Sequence, residues 1–290
     1  MGIDIHALNF LRYVTKKRTL GRVATIGRQS LLVSRRELAR VLGVSWKDTN
    51  LGLYSEELLK KHFGATLVDS YDYSGYEGAT HIVDLGKPIV PEQQYDTIID
   101  CGTAEHIFDV PQVLRNLSGL CASGGQIVHV LPANNFCGHG FWQFSPELFF
   151  SLYSDASAYS ETGVFLADLR DKGKWFEVEQ PKNGRRAEVI SSGPLYVMCM
   201  TTKLGEIFPE NIQQSDYVYH WDHSAYMRQH QSGLVPTLKT MVKTRPSLHW
   251  FAVRTRVFAK RVLDQITNPT CLSDRNRHLR KFNVSDLLMG

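Results

Sequence analysis

The fold is decided by residues 95–132, which read "YDTIIDCGTAEHIFDVPQVLRNLSGLCASGGQIVHVLP". Residues 95–102 form an apolar, β-branched run that predicts a buried strand. The segment after it predicts a helix, with Pro111 in the first turn and Gly124–Gly125 at its end. Residues 126–132 predict the next buried strand. A strand, a helix and a strand in this order indicate a βαβ unit and therefore a parallel sheet.

Segments on both sides of this unit continue the alternation of strands and helices. Helices are predicted over residues 34–43 and 145–154, because Ser34 and Ser145 are good N-caps for the patterns that follow them. Further strands are predicted over residues 22–26, 64–74, 80–85, 174–180 and 194–203. The last two are expected to form a hairpin, since little helical pattern lies between them.

Composition restricts the class of protein. The chain has 290 residues, 43% of them hydrophobic and 21% charged, which is typical of globular proteins. No apolar run approaches about 18 residues, the length that a membrane-spanning helix needs, and no signal pattern opens the chain. The five cysteines are odd in number and widely spaced. This argues against a disulfide scaffold or a thiolate zinc site and favours a soluble cytoplasmic protein.

The character of the chain changes near residue 205. Residues 204–290 lack the strand rhythm and predict a basic, mostly helical C-terminal appendage. Its basic residues are Lys239, Lys243, Arg245, Arg254, Arg256, Lys260, Arg261, Arg275, Arg277, Arg280 and Lys281. Apolar and basic positions do not separate around a helix over residues 249–266, so a membrane-lying helix is not favoured. Two interpretations stay open: a solvated packing appendage, or a weak contact surface for an anionic partner.

The order of elements in residues 20–200, and above all the Glu-His pair after the strand at 95–102, resembles the class I S-adenosylmethionine-dependent methyltransferases. The resemblance implies an α/β, Rossmann-like, mostly parallel sheet of seven strands, with the last strand reversed and helices on both faces. This domain is expected over residues 1–203, with its core at about 20–203. Residues 134–150, "NNFCGHGFWQFSPELFF", resemble a bacterial, often glycan-associated subgroup.

The first loop of that family is where this chain departs from the pattern. The stretch "RVATIGRQSLLVS" (22–34) keeps the first glycine, Gly27. The family's acidic residue and its second and third glycines are replaced by Thr25, Gln29 and Leu31. These glycines allow a tight turn, close approach of the backbone to the ligand and close packing of helix on strand. Either the Gln29 amide binds the amino-acid end of the cofactor, or the fold is retained and cofactor binding is lost.

The other cofactor positions of the family are better kept. By the resemblance, Asp72, with Asp69 as second choice, accepts hydrogen bonds from the ribose hydroxyls, a task suited to a carboxylate. Asp84 and Leu85 correspond to the residues near the adenine. Gly102 and Thr103 would lie beneath the cofactor. The structural alternative for Asp72 is an acid at an exposed turn. For Asp84 it is a helix N-cap.

Two histidines are candidates for the catalytic base, because an imidazole titrates near neutral pH, and His139 could instead bind the acceptor. His106 follows the strand at 95–102, and His139 lies in a glycine-flanked loop after the strand at 126–132. Parallel strands place both at the ligand-binding edge of the sheet. Glu105 would orient His106 or contact the cofactor. For His106 the alternative is a structural role in closing the loop onto the next helix.

Side chains around His139 suggest an acceptor. Asn134, Asn135 and Gln143 supply amide donors and acceptors, and the aromatic residues between them supply flat apolar surface. This combination suits a sugar or another small polar molecule, although aromatics at such density also form cores. No metal ion is expected. "HWDH" (220–223) offers ligand types but lacks a third partner, and a surface turn is the simpler interpretation.

The sequence therefore predicts an S-adenosylmethionine-dependent methyltransferase that methylates a hydroxyl of a sugar or other small polar acceptor. The alternative is a non-catalytic, methyltransferase-like binding or scaffold protein. Modification of nucleic acid rests on the basic C-terminal region alone and is not expected, because the net charge of +4 is small.

Overall fold

A nine-stranded mixed sheet forms the centre of the protein in the computed structural model, which describes residues 2–206, 208–230, 250, 251, 253–255, 257–259 and 270–287. The strands are β1 (Gly2–Ile3), β2 (Gly21–Ile26), β3 (Ser30–Leu31), β4 (Ala65–Asp72), β5 (His81–Ile82), β6 (Tyr95–Cys101), β7 (Cys121–Asn134), β8 (Tyr159–Asp168), β9 (Lys174–Val178), β10 (Leu195–Lys203) and β11 (Leu279–Asn283). The helices are α1 (Ile5–Thr15), α2 (Arg35–Leu42), α3 (Glu56–Phe63), α4 (Val110–Leu120), α5 (Pro146–Leu152) and α6 (Ser215–His230).

The strand order across the sheet is β11-β9-β8-β10-β7-β6-β2-β4-β5. Strands β5, β4, β2, β6 and β7 are parallel neighbours, and β10 lies antiparallel between β7 and β8. These seven strands thus comprise six that run one way and one that is reversed, as the family resemblance implied. Strands β1 and β3 form a separate parallel pair.

The expectation of seven strands was wrong, because β9 and β11 extend the sheet beyond β8 by antiparallel pairing. The predicted hairpin of the last two strands was also wrong, since β8 lies between β9 and β10. Strand β8 was not predicted, because its first half, "YSETG", is polar and shows no strand pattern. Its second half is buried. Strand β11 reads "LRKFN", with two large apolar side chains: Leu279 is buried, and the ring of Phe282 stacks on that of Trp175 with 5.7 Å between ring centroids.

Helices cover both faces of the sheet. On one face α1, α2 and α3 pack against the sheet through apolar side chains, whereas α4 and α5 belong to the core on the other face. Helix α2 agrees with its prediction: Ser34 and Glu37 form a capping box, and Gly43 ends the helix with φ of 70°. Helix α5 also begins after Ser145, as predicted. Helices α1 and α3 were not predicted.

The junction of α4 and β7 differs from the prediction. The helix ends at Leu120, and the strand begins at Cys121 rather than after the glycine pair. Between Cys121 and Gln126 the pairing with β6 shifts register, so Gly124 and Gly125 form a bulge inside the strand. A Cβ atom on Gly125 would lie 2.8 Å from both the Ala122 oxygen and the Cys121 sulfur, which explains why glycine is needed here.

The C-terminal region is described in part. Residues 220–223, "HWDH", lie within α6 rather than in a turn. Residues 250, 251, 253–255 and 257–259 are helical. Several of the predicted basic residues lie outside the described residues: Lys239, Lys243, Arg245, Arg256, Lys260 and Arg261. Over the described part of the chain, no helix combines the length and apolarity that crossing a membrane requires.

Candidate functional site

A cavity of about 410 Å³ opens where the parallel strands β4, β5 and β6 end. The carboxyl ends of such strands are the usual ligand site of open α/β sheets, and this volume lies in the range of small-molecule sites. Several predicted residues line it together, namely Asp72, Asp84, Leu85, Thr103 and His106. The exposed ring of Phe108 completes one wall.

The two acids considered for the ribose are separated by the structure. Asp72 ends β4 and lines the cavity, where its carboxylate accepts hydrogen bonds from the backbone N–H of Arg28 at 3.2 Å and of Ser74 at 3.5 Å. Asp69 is buried and accepts hydrogen bonds at 2.9 Å from the Tyr95 hydroxyl and the Gln93 amide. Asp72 is therefore the acid that a ligand in the cavity can reach.

The adenine candidates follow β5, the strand that pairs with the end of β4. The Asp84 carboxylate accepts a hydrogen bond from the Gly86 N–H at 3.0 Å and lies 3.2 Å from the Lys87 ammonium. It begins a turn and not a helix, so the N-cap alternative does not apply. Leu85 is buried, and its carbonyl accepts a hydrogen bond from the Asn116 amide at 2.9 Å. This side of the cavity is thus apolar with one carboxylate at its rim.

The tip of β2, by contrast, is filled by the protein's own side chains. Gln29 is buried, and its amide N–H groups donate to the Ile26 carbonyl and lie 3.5 Å from the Thr103 hydroxyl. That hydroxyl donates to the same carbonyl at 2.6 Å. A Cβ atom on Gly27, which has φ of 70°, would lie 2.6 Å from the Thr103 hydroxyl oxygen. The Gln29 amide therefore closes the strand tip, and only its oxygen lacks a hydrogen-bond partner among the described residues.

At the cavity edge, Glu105 forms a cluster with both predicted histidines. Its carboxylate oxygen lies 3.5 Å from Nε2 of His139 and 3.8 Å from Nε2 of His106. The Glu105 side chain is 1% exposed, and neither of its oxygens has a hydrogen-bond partner among the described residues. Burial, with a smaller contribution from the charge of Asp100, raises the pKa of Glu105 to about 8. Burial and the neighbouring His139 lower the pKa of His106.

The loop that carries His139 is fastened to Glu105. The backbone N–H groups of Phe141 and Trp142 donate to the Glu105 carbonyl at 2.7 and 3.3 Å. Gly140 has φ of 71°, and a Cβ atom there would lie 2.8 Å from that carbonyl oxygen. Glycine is therefore required at this position for the loop to approach closely enough to bring His139 to the carboxylate.

The predicted acceptor-binding amides lie in this loop, but they bond to the protein itself. Asn134 donates to the Ser191 hydroxyl at 3.1 Å, and Asn135 donates to the Gly193 carbonyl at 2.9 Å. The Gln143 carbonyl oxygen accepts a hydrogen bond from the Phe136 N–H at 3.1 Å. These three amides hold the loop in place. The side chains on the outside of the loop are aromatic, and Phe108, Phe141 and Trp142 are exposed. The ring centroid of Phe108 lies 6.2 Å from those of both Phe141 and Trp142.

Sequence reasoning missed a buried polar group behind the site. His129 lies 3.3 Å from the Asp100 carboxylate through Nδ1 and 2.8 Å from the Tyr153 hydroxyl through Nε2. Asp100 also accepts hydrogen bonds from the N–H groups of Thr103 and Ala104 at 3.1 and 3.4 Å. The Asp at the end of "TIID" was the available signal. Through these bonds Asp100 fixes the turn Gly102–Thr103 and sets the direction of Glu105.

Comparisons with known proteins give fold-level similarity only. No protein-family profile and no curated protein sequence matches this chain. Solved structures similar to it include the N-methyltransferase NodS from Bradyrhizobium japonicum, at 10% identity over 69% of this chain and 94% of that one, with a TM-score of 0.39. Another is 1,6-didemethyltoxoflavin-N1-methyltransferase from Burkholderia thailandensis, solved with S-adenosylhomocysteine, at 13% identity over 69% and 78% of the chains, with a TM-score of 0.38.

A third is a SAM-dependent methyltransferase from Thermotoga maritima, at 14% identity over 69% of this chain and 91% of that one, with a TM-score of 0.33. Similarity at this level carries no inference about activity. Any function must therefore rest on the residues of this chain.

Proposed function

We propose that this chain is an S-adenosylmethionine-dependent methyltransferase acting on a small polar acceptor, with a sugar hydroxyl as the target. The observation that carries the proposal is the cavity at the ends of β4, β5 and β6. It brings together Asp72, Asp84, Leu85, Thr103 and His106, which come from the ends of three different strands.

The residues present fit the nucleoside part of the cofactor. Asp72 is half-buried and its side chain lines the cavity, so its carboxylate can accept hydrogen bonds from the two ribose hydroxyls. Leu85 supplies an apolar wall for adenine. The Asp84 carboxylate would accept a hydrogen bond from the adenine amino group. When bound, S-adenosylmethionine supplies an electrophilic methyl group. The chain's task is then to align an acceptor with that group and to exclude water, which is the main catalytic contribution in such a displacement.

The acceptor is proposed to lie between the cavity and the surface formed by Phe108, Phe141 and Trp142. Flat apolar rings suit the face of a sugar ring or of a small planar molecule. The rings of His139 and His106 lie 5.0 Å apart, and these residues are the candidates to take the proton from an acceptor hydroxyl. Asn134, Asn135 and Gln143 are proposed to act on the acceptor only indirectly, by holding the loop.

Calorimetric titration of the full chain with S-adenosylmethionine and with S-adenosylhomocysteine tests the proposal. We expect one molecule bound per chain, together with a rise in the midpoint of thermal unfolding, since a ligand that binds only the folded state stabilises it. Absence of both heat and thermal shift at about millimolar ligand, about the weakest affinity of functional interest, would refute the proposal.

The second candidate is a binding or scaffold protein without methyl transfer. It is favoured by the closed tip of β2, where Gln29 and Thr103 occupy the space that glycines leave open to the amino-acid end of the cofactor. Titration with adenosine distinguishes the methyltransferase from the scaffold protein, because adenosine needs only the open part of the cavity. Binding of adenosine without binding of S-adenosylmethionine would favour the scaffold.

Two further expectations remain proposals. The spacing of the five cysteines favours a cytoplasmic location. A groove of about 650 Å³ between β9 and residues 277–280 carries Lys182, Arg185, Arg277 and Arg280 beside Glu177 and Glu179. Its mixed charge supports at most weak contact of the C-terminal region with an anionic surface.

A further inference from the structure

The geometry points to a divalent transition-metal site made by Glu105, His106 and His139 at the edge of the cavity. The three side chains offer one carboxylate oxygen and two imidazole nitrogens, all within 4.8 Å of one another. Zinc and iron(II) commonly bind two histidines and one carboxylate, with the remaining positions left to water or substrate. Magnesium prefers oxygen ligands and fits this donor set less well.

Distances within the cluster agree with a shared ion. Two ligands that lie 2.0–2.2 Å from one tetrahedral ion are about 3.3–3.6 Å apart. The Glu105 oxygen is 3.5 Å from Nε2 of His139 and 3.8 Å from Nε2 of His106. The first separation fits as it stands. The second, and the separation of the two imidazole nitrogens, which is bounded only by the 4.8 Å span of the cluster, need rotation of the imidazoles, whose side chains are 38% and 50% exposed.

The state of Glu105 is an independent observation in favour of a ligand. Its side chain is 1% exposed, and both oxygens lack a hydrogen-bond partner among the described residues. A buried carboxyl group without partners is costly and rare, because it loses its hydration and gains nothing in return. Other buried acids of this sheet are paired: Asp100 with two N–H groups and His129, and Asp69 with Tyr95 and Gln93. A cation beside Glu105 supplies the missing partner.

The backbone on both sides holds these ligands toward one point. Glu105 and His106 lie in the short 3-10 helix Ala104–His106, whose turn is fixed by the Asp100 carboxylate. The loop of His139 is fastened to the Glu105 carbonyl by two N–H groups and a glycine contact. The imidazoles are the exposed members, so open coordination positions of an ion would face the cavity to which His106 contributes.

The chemistry of such an ion rests on the proposed function, whereas its binding does not. An imidazole that gives its lone pair to a metal is no longer a base. The ion would instead bind the acceptor oxygen and acidify its hydroxyl, whose proton passes to water. A lone pair of that oxygen forms the bond to the methyl carbon while the carbon–sulfur bond breaks. That electron pair remains on sulfur, and neutral S-adenosylhomocysteine leaves.

Titration of chelator-treated protein with Co²⁺, followed by its visible absorption, tests the site, with Zn²⁺ as competitor. We expect one Co²⁺ per chain, displaced by one Zn²⁺. Glu105→Gln and His139→Ala should each weaken binding at least about 100-fold, since even loss of an outer-shell partner costs 10–100-fold. His223→Ala is the matched control: it removes an exposed imidazole from α6 and should leave affinity within about twofold.

His139→Ala lies on an exposed loop, so it keeps the test valid if Glu105→Gln impairs folding. No stoichiometric Co²⁺ binding would overturn the inference, and so would binding that both variants leave unchanged. S-adenosylmethionine is titrated separately into the metal-free protein. Binding of Co²⁺ without binding of the cofactor would refute the methyltransferase and leave the metal site standing, and the reverse result would do the opposite.

Discussion

The ends of β2 and β4 are neighbours on one edge of the sheet, yet they differ in the space they leave for a ligand. The end of β4 is here called the open tip and the end of β2 the closed tip. Beyond β4 the chain leaves a cavity of about 410 Å³ with Asp72 at its mouth. Beyond β2 the space is filled by Gln29 and by the Thr103 hydroxyl, which share the Ile26 carbonyl. Under the proposed function, the part of the site that would hold the nucleoside is open, and the part that would hold the amino-acid end of the cofactor is closed.

The difference follows from which residues each function needs. Binding a ribose needs one carboxylate at a strand end, and the surrounding fold can supply that with few constraints on sequence. Admitting the amino-acid end of the cofactor needs space, and space is lost as soon as a glycine gains a side chain. If the proposed cofactor binds, we expect the open tip to supply most of the affinity and the closed tip to restrict the amino-acid end.

Removal of the open tip's carboxylate is expected to have the largest effect. Asp72→Asn keeps the shape of the side chain and removes its charge, so hydrogen bonds to the ribose weaken by about 1.5–3 kcal/mol. Affinity for S-adenosylhomocysteine should fall about 10- to 100-fold by calorimetry. Asp48→Asn, an exposed acid in the 3-10 helix Trp46–Thr49, is the control and should change nothing. Equal affinities for the natural chain and Asp72→Asn would place the nucleoside elsewhere.

Opening the closed tip should have a smaller effect of opposite sign. Gln29→Ala removes the amide between Ile26 and Thr103, while the Thr103 hydroxyl still satisfies the Ile26 carbonyl. Affinity for S-adenosylmethionine should rise by up to about tenfold, or ~1.4 kcal/mol. Affinity for adenosine, which lacks the amino-acid end, should stay the same. If both ligands gain equally, the closed tip does not select between them.

Much of the fold could be predicted because the sheet's central strands are continuous apolar runs. Strands β2, β4, β6 and β7 were all predicted, and α2 was predicted from its N-cap Ser34 and its terminating Gly43. Strand β8 was lost because its polar first half has no alternation. Strand β11 was lost because its pairing with β9 depends on a partner about a hundred residues away, which no local pattern reveals.

The placement of residues around the candidate site was predictable where a residue follows a strand end, and the hydrogen bonds between distant side chains were not. Asp72, Asp84 and His106 lie on the cavity as the resemblance implied. Binding of an acceptor by Asn134 and Asn135 stays a prediction, and in this structure their amides donate hydrogen bonds to Ser191 and Gly193. Their partners lie more than fifty residues away in the sequence, so local reasoning could not assign them.

The smallest expected effect concerns the rigidity of the closed side, where α2 follows the β2 loop. Hydrogen bonds from Lys172 and Ser34 lower the pKa of Glu37 to about 2. The folded state therefore favours the carboxylate, whose unfolded pKa is about 4.3. This stabilisation is fully present above about pH 4.3 and is lost as the pH falls toward about 2.

Because solvent screens this partly exposed pair, Glu37→Gln should lower the free energy of unfolding by only about 0.5–1 kcal/mol at pH 7. Urea unfolding measures it, and the difference from the natural chain should shrink as the pH is lowered from 5 to 3. Glu57→Gln in α3, which loses only an exposed ion pair with Lys61, is the control. A difference that grows on acidification would show that Glu37 does not stabilise α2 as a carboxylate.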